Sequence, residues 1–418
     1  MKRIFPVFLI SLFVYSAHAQ LSDFPLGSMQ TRNVLFLTSD FHFGSNALTY
    51  ELAKTYFVNG FITDKMKDQV SKHLDDLNRI GGEFSTEIYY RHTPDSMFKR
   101  KNWSWFTGVK NIDHVHSKFP RDLFEVYFRG NKNYEGKTAD FSGFNYLLLK
   151  YQQVQFGLSK LILKDSAIFE AGAAVGFNMG QQLFRFESGK IDLYTENFGT
   201  YFDVNASVDI HASDSLHKNF GAFNGFGIST DLFFNATIRE KHQLFFKISN
   251  LGFIRWNDHS AEINADTSFR FEGIAVNELF NFTDTIKTSF NADSIAEQSF
   301  LTHRKYHGYT LFLPAKIEIS YKRPLGHHHL RAGIGANYIL TADYLPQVHL
   351  DLECPWNKNM ITFILSYGGY TDWGTGLFYR HHFSHRYVLI LGSNYLNSLF
   401  DLNKSRAQHL GITIFRNF

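Results

Sequence analysis

The chain has 418 residues, a formal net charge of +3 at pH 7 and one cysteine, Cys354. The weak net charge implies no nucleic-acid partner and no acidic one. A single cysteine excludes an internal disulfide and a structural zinc site built on thiolates. Aromatic residues make up 17% of the chain, with 45 Phe and 21 Tyr, so the fold must accommodate many large apolar rings.

The first twenty residues have the pattern of a secretory signal peptide. Lys2 and Arg3 precede an apolar stretch at residues 4–15, and a motif of small residues follows it, namely Ala17, His18, Ala19 and then Gln20. A basic start, a short apolar run and an A-x-A site define such a peptide. The alternative, a membrane anchor helix, needs about 20 apolar residues. We predict cleavage after Ala19, which leaves residues 20–418 outside the cytoplasm.

A helical insertion is predicted directly after the first strand, which we place at residues 33–44. Apolar side chains recur at helical spacing over residues 47–59 and 64–79, and Gly60 separates the two segments. We therefore assign residues 45–80 to a helical insertion. Two further short helices are predicted at residues 120–128 and 277–282.

Most of the remaining chain alternates between apolar and polar residues with period two. Residues 226–239 and 311–322 show it most clearly, and the pattern is typical of strands with one apolar face. The predicted strands are 33–44, 82–92, 102–116, 144–163, 167–186, 190–211, 222–238, 242–256, 264–273, 309–323, 328–342, 346–353, 359–370, 374–383, 386–396 and 407–418. No apolar run after the signal peptide is long enough for a transmembrane helix.

Two architectures bury one face of many long strands: a soluble sandwich or propeller, and an outer-membrane barrel that turns the apolar face to lipid. Soluble strands typically have about 5–6 residues, whereas membrane-spanning strands need about 9–11. Strand length, secretion and the aromatic excess all favour the barrel. The predicted fold is all-β: an integral outer-membrane antiparallel β-barrel of roughly 14 strands. Within it, the insertion at residues 45–80 is a plug, a periplasmic cap or a docking site, or simply a packed helical hairpin.

Charged residues on the polar face of the strands are candidates for the barrel lumen. They are Asp231, Lys316, Glu318 and Lys322. Such side chains either line an aqueous path or pair with one another and fill the lumen. Because both signs occur together, the sequence favours pairing.

Histidine-rich segments are the only candidates for metal chemistry. His327, His328 and His329 form one run, and His381, His382 and His385 form another. No carboxylate or cysteine stands at ligand spacing beside them, so we predict polar turns, no metal site and no cofactor. Neither a G-x-S-x-G elbow nor an H-E-x-x-H helix occurs. We therefore predict no enzymatic activity, and a Ser-His pair facing lipid, as in a lipid hydrolase, is the remaining alternative.

The last ten residues, HLGITIFRNF, have the pattern of a closing barrel strand. Leu410, Ile412 and Ile414 share the apolar parity, and Gly411 lies on the other. A terminal aromatic residue such as Phe418 resembles the insertion signal of outer-membrane proteins, so we predict that Gly411 and Phe418 belong to that signal. Arg416 falls on the apolar parity, where a charge is tolerable only near the membrane interface. We therefore place Arg416 at the periplasmic rim.

Several segments together resemble a known family. They are KISNLGFIRWND (247–258), FRFEGIAVNELF (269–280), DTIKTSF (284–290), YTLFLPAKIEISY (309–321) and SRAQHLGITIFRNF (405–418), with weaker similarity at 119–131 and 140–153. The chain is similar to Bacteroidota outer-membrane proteins of a family of unknown function, related to FadL-like and PorV-like barrels. The resemblance implies a barrel in the outer membrane of a Gram-negative bacterium. It provides no catalytic residues, and the region before the first strand lacks the hatch motif of FadL-like barrels.

Two functions follow as the main expectations. The first is passive transport of small or hydrophobic molecules, and the second is a structural or accessory role in a surface assembly such as type IX secretion. A lipid hydrolase is the third alternative. The expected partners are outer-membrane lipid, the outer-membrane assembly machinery and a periplasmic or surface protein, without nucleic acid.

Overall fold

The computed structural model describes residues 32–214, 221–239, 241–272, 303–326, 330–341, 343–384, 386–401 and 404–418. Several predicted features lie outside the described residues. They are the cleavage site (Ala17, Ala19 and Gln20), the helix at 277–282, and His327, His328, His329 and His385.

The described residues form a 19-stranded antiparallel sheet. Its strands are β1 (Asn33–Ser45), β2 (Leu77–His92), β3 (Trp103–Pro120), β4 (Lys137–Asp140), β5 (Asn145–Lys164), β6 (Ala167–Thr195), β7 (Phe202–Ala212), β8 (Gly225–Ile238), β9 (His242–Trp256), β10 (Ala261–Phe271), β11 (Arg304–Tyr306), β12 (Thr310–Phe312), β13 (Lys316–Leu325), β14 (Leu330–Ile339), β15 (Leu345–Trp356), β16 (Asn359–Gly369), β17 (Trp373–His382), β18 (Tyr387–Ser393) and β19 (Ala407–Asn417).

Fourteen of these strands close into a barrel, which confirms the predicted fold. The circuit runs β1-β2-β3-β5-β6-β8-β9-β13-β14-β15-β16-β17-β18-β19. Pairing of β19 with β1 closes it, from Asn417 opposite Val34 to Ala407 opposite Gly44. Closure leaves no sheet edge, so the backbone N–H and C=O groups of these strands are paired within the wall, as a hydrocarbon environment requires.

The two faces of the wall differ as the period-two pattern predicts. Exposed apolar side chains occupy the outer parity on strand after strand, namely Leu37, Ile88, Val109, Val154, Val175, Ile228, Leu251, Ile319, Ile334, Leu350, Phe363 and Ile414. Side chains of the other parity are buried, many of them polar. Aromatic rings flank the apolar band: Tyr90 contacts Trp105 on one side, and Tyr367 contacts Trp373 on the other. This is the surface of an outer-membrane-type barrel.

The two ends of the barrel carry different connections. At the end that holds Asn33 and Asn417, two residues join β5 to β6 and two join β15 to β16. At the opposite end, long connections join β1 to β2, β3 to β5 and β6 to β8. We call these the short-turn end and the long-loop end. Of the helices in the described ranges, none is long and apolar enough to cross a membrane.

The helical insertion lies at the long-loop end. Its helices are α1 (Tyr50–Phe57) and α2 (Asp64–Ser71), and Thr49 and Thr63 cap them by accepting hydrogen bonds from the N–H groups of Leu52 and Met66. The prediction of helix up to residue 79 was wrong, because Leu77 already begins β2, which pairs with β3 as far as Pro120.

Both helices share an apolar cluster with α3 (Arg121–Arg129) and with the ends of two wall strands. Leu52, Val70 and Phe124 are its buried centre, and Ile80 and Phe119 join it from β2 and β3. These two wall residues have the parity of the exposed Ile88 and Val109. The helices therefore pack on the outer side of the wall, beyond the apolar band. A fourth helix, α4 (Asn397–Phe400), lies in the connection between β18 and β19.

Candidate functional site

The candidate site is the barrel lumen, into which the inward parity of fourteen strands projects. The four residues predicted from the sequence all lie on this face, and each contacts an opposite charge. Asp231 pairs with Lys110 at 2.8 Å, Glu318 with Lys247 at 3.9 Å, and Lys322 with Glu353 at 2.8 Å. The ammonium of Lys316 contacts the carboxylate of Glu83.

Asp231 also shapes the wall itself. A register shift between Thr230 and Leu232 places a bulge in β9, where Asn250 has a φ of 60°. The Asn250 N–H donates to Asp231 Oδ1 at 2.8 Å, while Asp231 Oδ2 accepts from Lys110. Since a bulge leaves a backbone group without its ladder partner, the carboxylate satisfies that group from inside the barrel.

Glu83 is the centre of a row of ionisable residues that crosses four adjacent strands. His409 lies opposite His42, His42 opposite Glu83, and Glu83 opposite His114. Glu83 Oε2 is 3.1 Å from His114 Nδ1, and His114 Nε2 is 3.2 Å from His116 Nδ1. We call the residues His42, Glu83, His114, His116 and His409 the charged layer.

Asp40 joins the charged layer from the next inward position of β1. Its carboxylate is 3.3 Å from His409 Nε2 and 3.8 Å from His42 Nδ1. Carboxylate and imidazole groups therefore alternate from β19 to β3, at contact distance or directly opposite one another. Linked groups of this kind can pass a proton from one to the next along the row.

The contact between Lys316 and Glu83 spans the lumen. Five strands separate β2 from β13 in one direction around the barrel and seven in the other, so the two strands belong to facing walls. The Glu83 side chain is only 3% exposed. At this level an ion pair therefore connects the facing walls through the lumen.

Two tyrosines close the lumen above the charged layer, at the long-loop end. The Tyr370 ring lies over Gly81 of β2, so closely that a Cβ on Gly81 would be 2.1 Å from Tyr370 Cζ. Tyr344 contacts the same ring edge-on, with 5.0 Å between centroids. Burial raises the pKa of Tyr395, beside them, to about 12, and it also raises the pKa values of Tyr344 and Tyr370. All three hydroxyls are therefore protonated at neutral pH.

Two aspartates hold these tyrosines across the mouth of the barrel. Asp343, beside Tyr344, is 3.2 Å from Lys118 Nζ and accepts a 2.5 Å hydrogen bond from the Asn145 amide. Asp372, near Tyr370, is 3.5 Å from an Arg79 nitrogen and 3.2 Å from one of Arg406. We call Tyr344, Tyr370 and these two aspartates the mouth layer.

Apolar rings fill the lumen below the charged layer, toward the short-turn end. Phe36 stacks on Tyr89 and Phe415 at centroid distances of 5.7 and 5.2 Å, and Phe106 contacts Phe233 at 6.0 Å. The clusters around them also contain Val34, Ala174, Ile364, Phe378 and Ile390. We call this set the aromatic layer. The lumen is thus occupied at three successive levels.

Some buried polar groups of the lumen have no hydrogen-bond partner within the described part of the chain. Asn235 is completely buried, and both of its amide atoms are in this state. Gln153 donates to Asn178 at 2.9 Å and to Ser229 at 2.7 Å, but its own Oε1 accepts no bond. Buried groups of this kind are rare in packed cores.

The remaining predicted residues lie elsewhere. Gly411 faces the lumen on β19, opposite Asp40. Phe418 is 54% exposed at the short-turn end. The Nδ1 atom of His381 is 2.7 Å from Asn359 Oδ1, and this contact lies in the same end region. Sequence reasoning missed Glu83, Lys110 and His114; the inward parity of 103–120 does carry Lys110, His114 and His116, and this was the available signal.

The chain matches the model of a protein family over residues 32–395, and it therefore belongs to this family of unknown function, DUF5723. Among curated protein sequences, none matches. Solved structures with a similar course of the chain include the Pseudomonas putida toluene transporter TodX, with 9% identity, coverage of 96% of this chain and 92% of that one, and a TM-score of 0.43.

Two other solved structures are also similar to this chain. One is a Pseudomonas aeruginosa FadL homologue, with 8% identity, coverage of 93% and 90%, and a TM-score of 0.42. The other is the outer membrane phospholipase A from Escherichia coli, with 8% identity, coverage of 91% and 96%, and a TM-score of 0.25. At these levels of identity, each likeness concerns the barrel fold alone.

Proposed function

We propose that this member of the family is a gated outer-membrane channel for small molecules, closed at rest by contacts between facing walls. The ion pair of Lys316 with Glu83 is the observation that carries this proposal. The pair connects two walls that have no backbone contact. Separation of the two charged side chains would therefore open the lumen and leave the strand pairing of the barrel intact. The mouth layer, made of two short connections, would have to move with it.

The chemistry of the lumen supports a channel over an inert filled barrel. Burying ion pairs is costly, and well-packed apolar side chains of similar volume are often as stabilising or more so. A barrel that only needed filling would gain nothing from the ionisable charged layer. Polar groups without partners, such as those of Asn235, fit a lumen that accommodates water or a polar solute when it opens.

The location follows from the outer surface of the barrel. The apolar band and its aromatic borders support insertion in the outer membrane of a Gram-negative bacterium. Short turns are typically periplasmic in such barrels and long loops extracellular, which would place the mouth layer and the helices α1 to α3 outside the cell. A Bacteroidota origin is supported by the resemblance of the sequence segments.

Conductance in planar lipid bilayers tests the proposal. We expect the wild-type protein to be closed most of the time, and the variant Tyr344→Ala/Tyr370→Ala to open more often. An aromatic pair contributes about 0.5–1.5 kcal/mol, so its loss should raise the open fraction by a factor of about two to ten. Tyr367→Ala, on the lipid-facing side of β16, is the matched control. A wild-type protein that is permanently open, or a double variant as silent as the wild type, would contradict the proposal.

A second function, that of an accessory subunit of a surface assembly, is supported by exposed rings at the long-loop end. Phe61, Phe198 and Phe400 are 86–87% exposed there. Exposed apolar side chains that lie together on a surface often mark a protein–protein interaction site. This function predicts that a stoichiometric partner co-purifies from outer membranes and is lost on Phe61→Ser/Phe400→Ser substitution. Recovery of the barrel alone from native membranes would count against it.

A further inference from the structure

Part of the sheet extends beyond the barrel at the long-loop end. β6 pairs with β5 as far as Glu187 and continues to Thr195. Its outer half pairs with β7, β7 pairs with β10, and β10 pairs with β11. We call β7, β10, β11 and β6 from residue 183 onward the outer sheet. The strands β7, β10 and β11 are outside the barrel circuit, and β6 belongs to both. β6 pairs with β8 only up to Gly180, which lies opposite Gly225 at the start of β8, and the outer sheet begins after this point.

One face of the outer sheet brings together a histidine and two carboxylates. Asp209 and His211 are two residues apart on β7, so they share a face, and Glu262 of β10 lies directly opposite His211. One ligand atom from each of these three residues lies within 4.8 Å of the others. The His211 Nε2 to Asp209 Oδ1 distance is 3.1 Å. The Nε2 atom of His307, which follows β11, contacts Glu262.

The surroundings hold this cluster in place. His211 is 6% exposed, and its ring stacks on Tyr309 with 3.8 Å between centroids. Two cations lie near the cluster. Arg185 is bound to Glu187 at 2.6 Å and to the Tyr309 hydroxyl, and Lys305 of β11 lies directly opposite Glu262. Asp209 and Glu262 are the two carboxylates around the imidazoles.

Within the described residues, the buried Asp209 Oδ1 has His211 Nε2 beside it, at 3.1 Å, and accepts no further hydrogen bond, and the buried His211 Nδ1 has no hydrogen bond. A carboxylate oxygen and an imidazole nitrogen are both good ligands for a transition metal. A cation could accept electron pairs from Asp209 Oδ1 and His211 Nε2, and the other ring nitrogen, Nδ1, would then carry the proton of the neutral imidazole.

We propose that the outer sheet binds one divalent transition-metal ion of the Zn²⁺ class, with Asp209, His211 and Glu262 as ligands and His307 as the fourth. Imidazole nitrogens with carboxylate oxygens form the ligand set that such ions prefer, whereas Ca²⁺ and Mg²⁺ take oxygen ligands. Two carboxylates balance the charge of the ion. Because the ligands come from β7, β10 and the segment after β11, the ion joins three parts of the outer sheet.

Zinc binding to the purified, metal-stripped barrel tests this site. The protein should carry no histidine tag, and His327, His328 and His329 should be replaced by serine throughout, because such a run also binds transition metals. Equilibrium dialysis with Zn²⁺ and elemental analysis should give one ion per chain. We expect His211→Ala and Glu262→Gln to weaken binding by at least about tenfold, and Ca²⁺ and Mg²⁺ not to compete.

A matched control and a second variant keep the test decisive. His242→Ala removes a half-buried imidazole of β9 whose Nδ1 atom is 2.7 Å from the Tyr321 hydroxyl, and it should bind Zn²⁺ like the wild type. Heat-modifiable gel mobility reports whether each variant is folded. If His211→Ala does not fold, the more exposed His307→Ala replaces it. Absence of stoichiometric binding, or equal binding by the wild type and these variants, would show that the cluster is only a set of ion pairs.

Discussion

The guanidinium carbon of Arg416 lies 4.4 Å from the centre of the Phe418 ring and 5.6 Å from that of Tyr387. Arg416 lies directly opposite Tyr387 on β18, at the short-turn end, and shares the outer parity with Ile414. Its charge on the lipid-facing side is therefore placed against two aromatic rings at the border of the apolar band. Cation–π contacts contribute about 0.5–1 kcal/mol at exposed sites, which helps to explain why a charge is tolerated on this parity.

Deletion of Phe418 should reduce assembly of the barrel. The ring is largely exposed and contacts Arg416, so its loss removes little packing from the folded protein. If Phe418 belongs to an insertion signal, the amount of folded protein in the outer membrane should fall severalfold, whereas Phe418→Tyr, which keeps the ring, should behave like the wild type. Heat-modifiable mobility of outer-membrane fractions measures this. Unchanged levels after the deletion would remove the signal interpretation.

Replacement of Lys316 by methionine should destabilise the barrel. The change leaves the buried Glu83 carboxylate without its cation, and breaking a buried pair costs about 3–5 kcal/mol. We expect the lower end, because the Lys316 side chain is 25% exposed. Urea unfolding in lipid vesicles measures the effect. Lys316→Met/Glu83→Met should recover most of it, and Lys305→Met, on exposed β11, should be neutral. A double variant as unstable as the single one would argue against a direct interaction.

Gly81→Val should displace the Tyr370 ring from the barrel mouth. The φ of Gly81 is not positive, so the backbone accepts a side chain, and the clash comes from the ring 2.1 Å from the new Cβ. Overpacking of this kind costs about 1–3 kcal/mol. In a Tyr370→Ala background the same substitution should cost much less, as measured by thermal unfolding. An equal cost in both backgrounds would mean that the ring does not occupy this position.

The sequence predicted the wall because alternation is a local property. The predicted strand at 242–256 has the same bounds as β9. In β8 and β13, Asp231, Lys316, Glu318 and Lys322 lie on the parity opposite the exposed apolar side chains. The alternation pattern predicted wrong strand bounds where pairing with neighbouring strands overrides the local sequence pattern. Residues 167–186 and 190–211 were predicted as two strands separated near Gly189, but β6 runs unbroken to Thr195, because β5, β4 and β7 pair with it along this length.

The site was predicted only in part, for a physical reason. Asp231 and Lys316 could be recognised as inward-facing, but their partners could not. Lys316 meets Glu83, 233 positions earlier in the chain, and only closure of the barrel brings the two walls together. The same holds for the contact of Tyr370 with Gly81. The Tyr370 ring occupies the space that a side chain at position 81 would fill, and the sequence around Gly81 does not predict a contact with a residue so far away in the chain.

Cross-linking of positions 83 and 316 in intact outer membranes tests the central claim, the closed lumen, most directly. Glu83→Cys/Lys316→Cys, in a Cys354→Ser background, should react with a bifunctional thiol reagent. The length of this reagent should match the combined length of the two original side chains. We predict a cross-linked barrel with altered gel mobility, formed far faster than in the control pair Glu83→Cys/Lys322→Cys. Equal or absent cross-linking in the two pairs would show that the facing walls do not meet, and it would contradict the account.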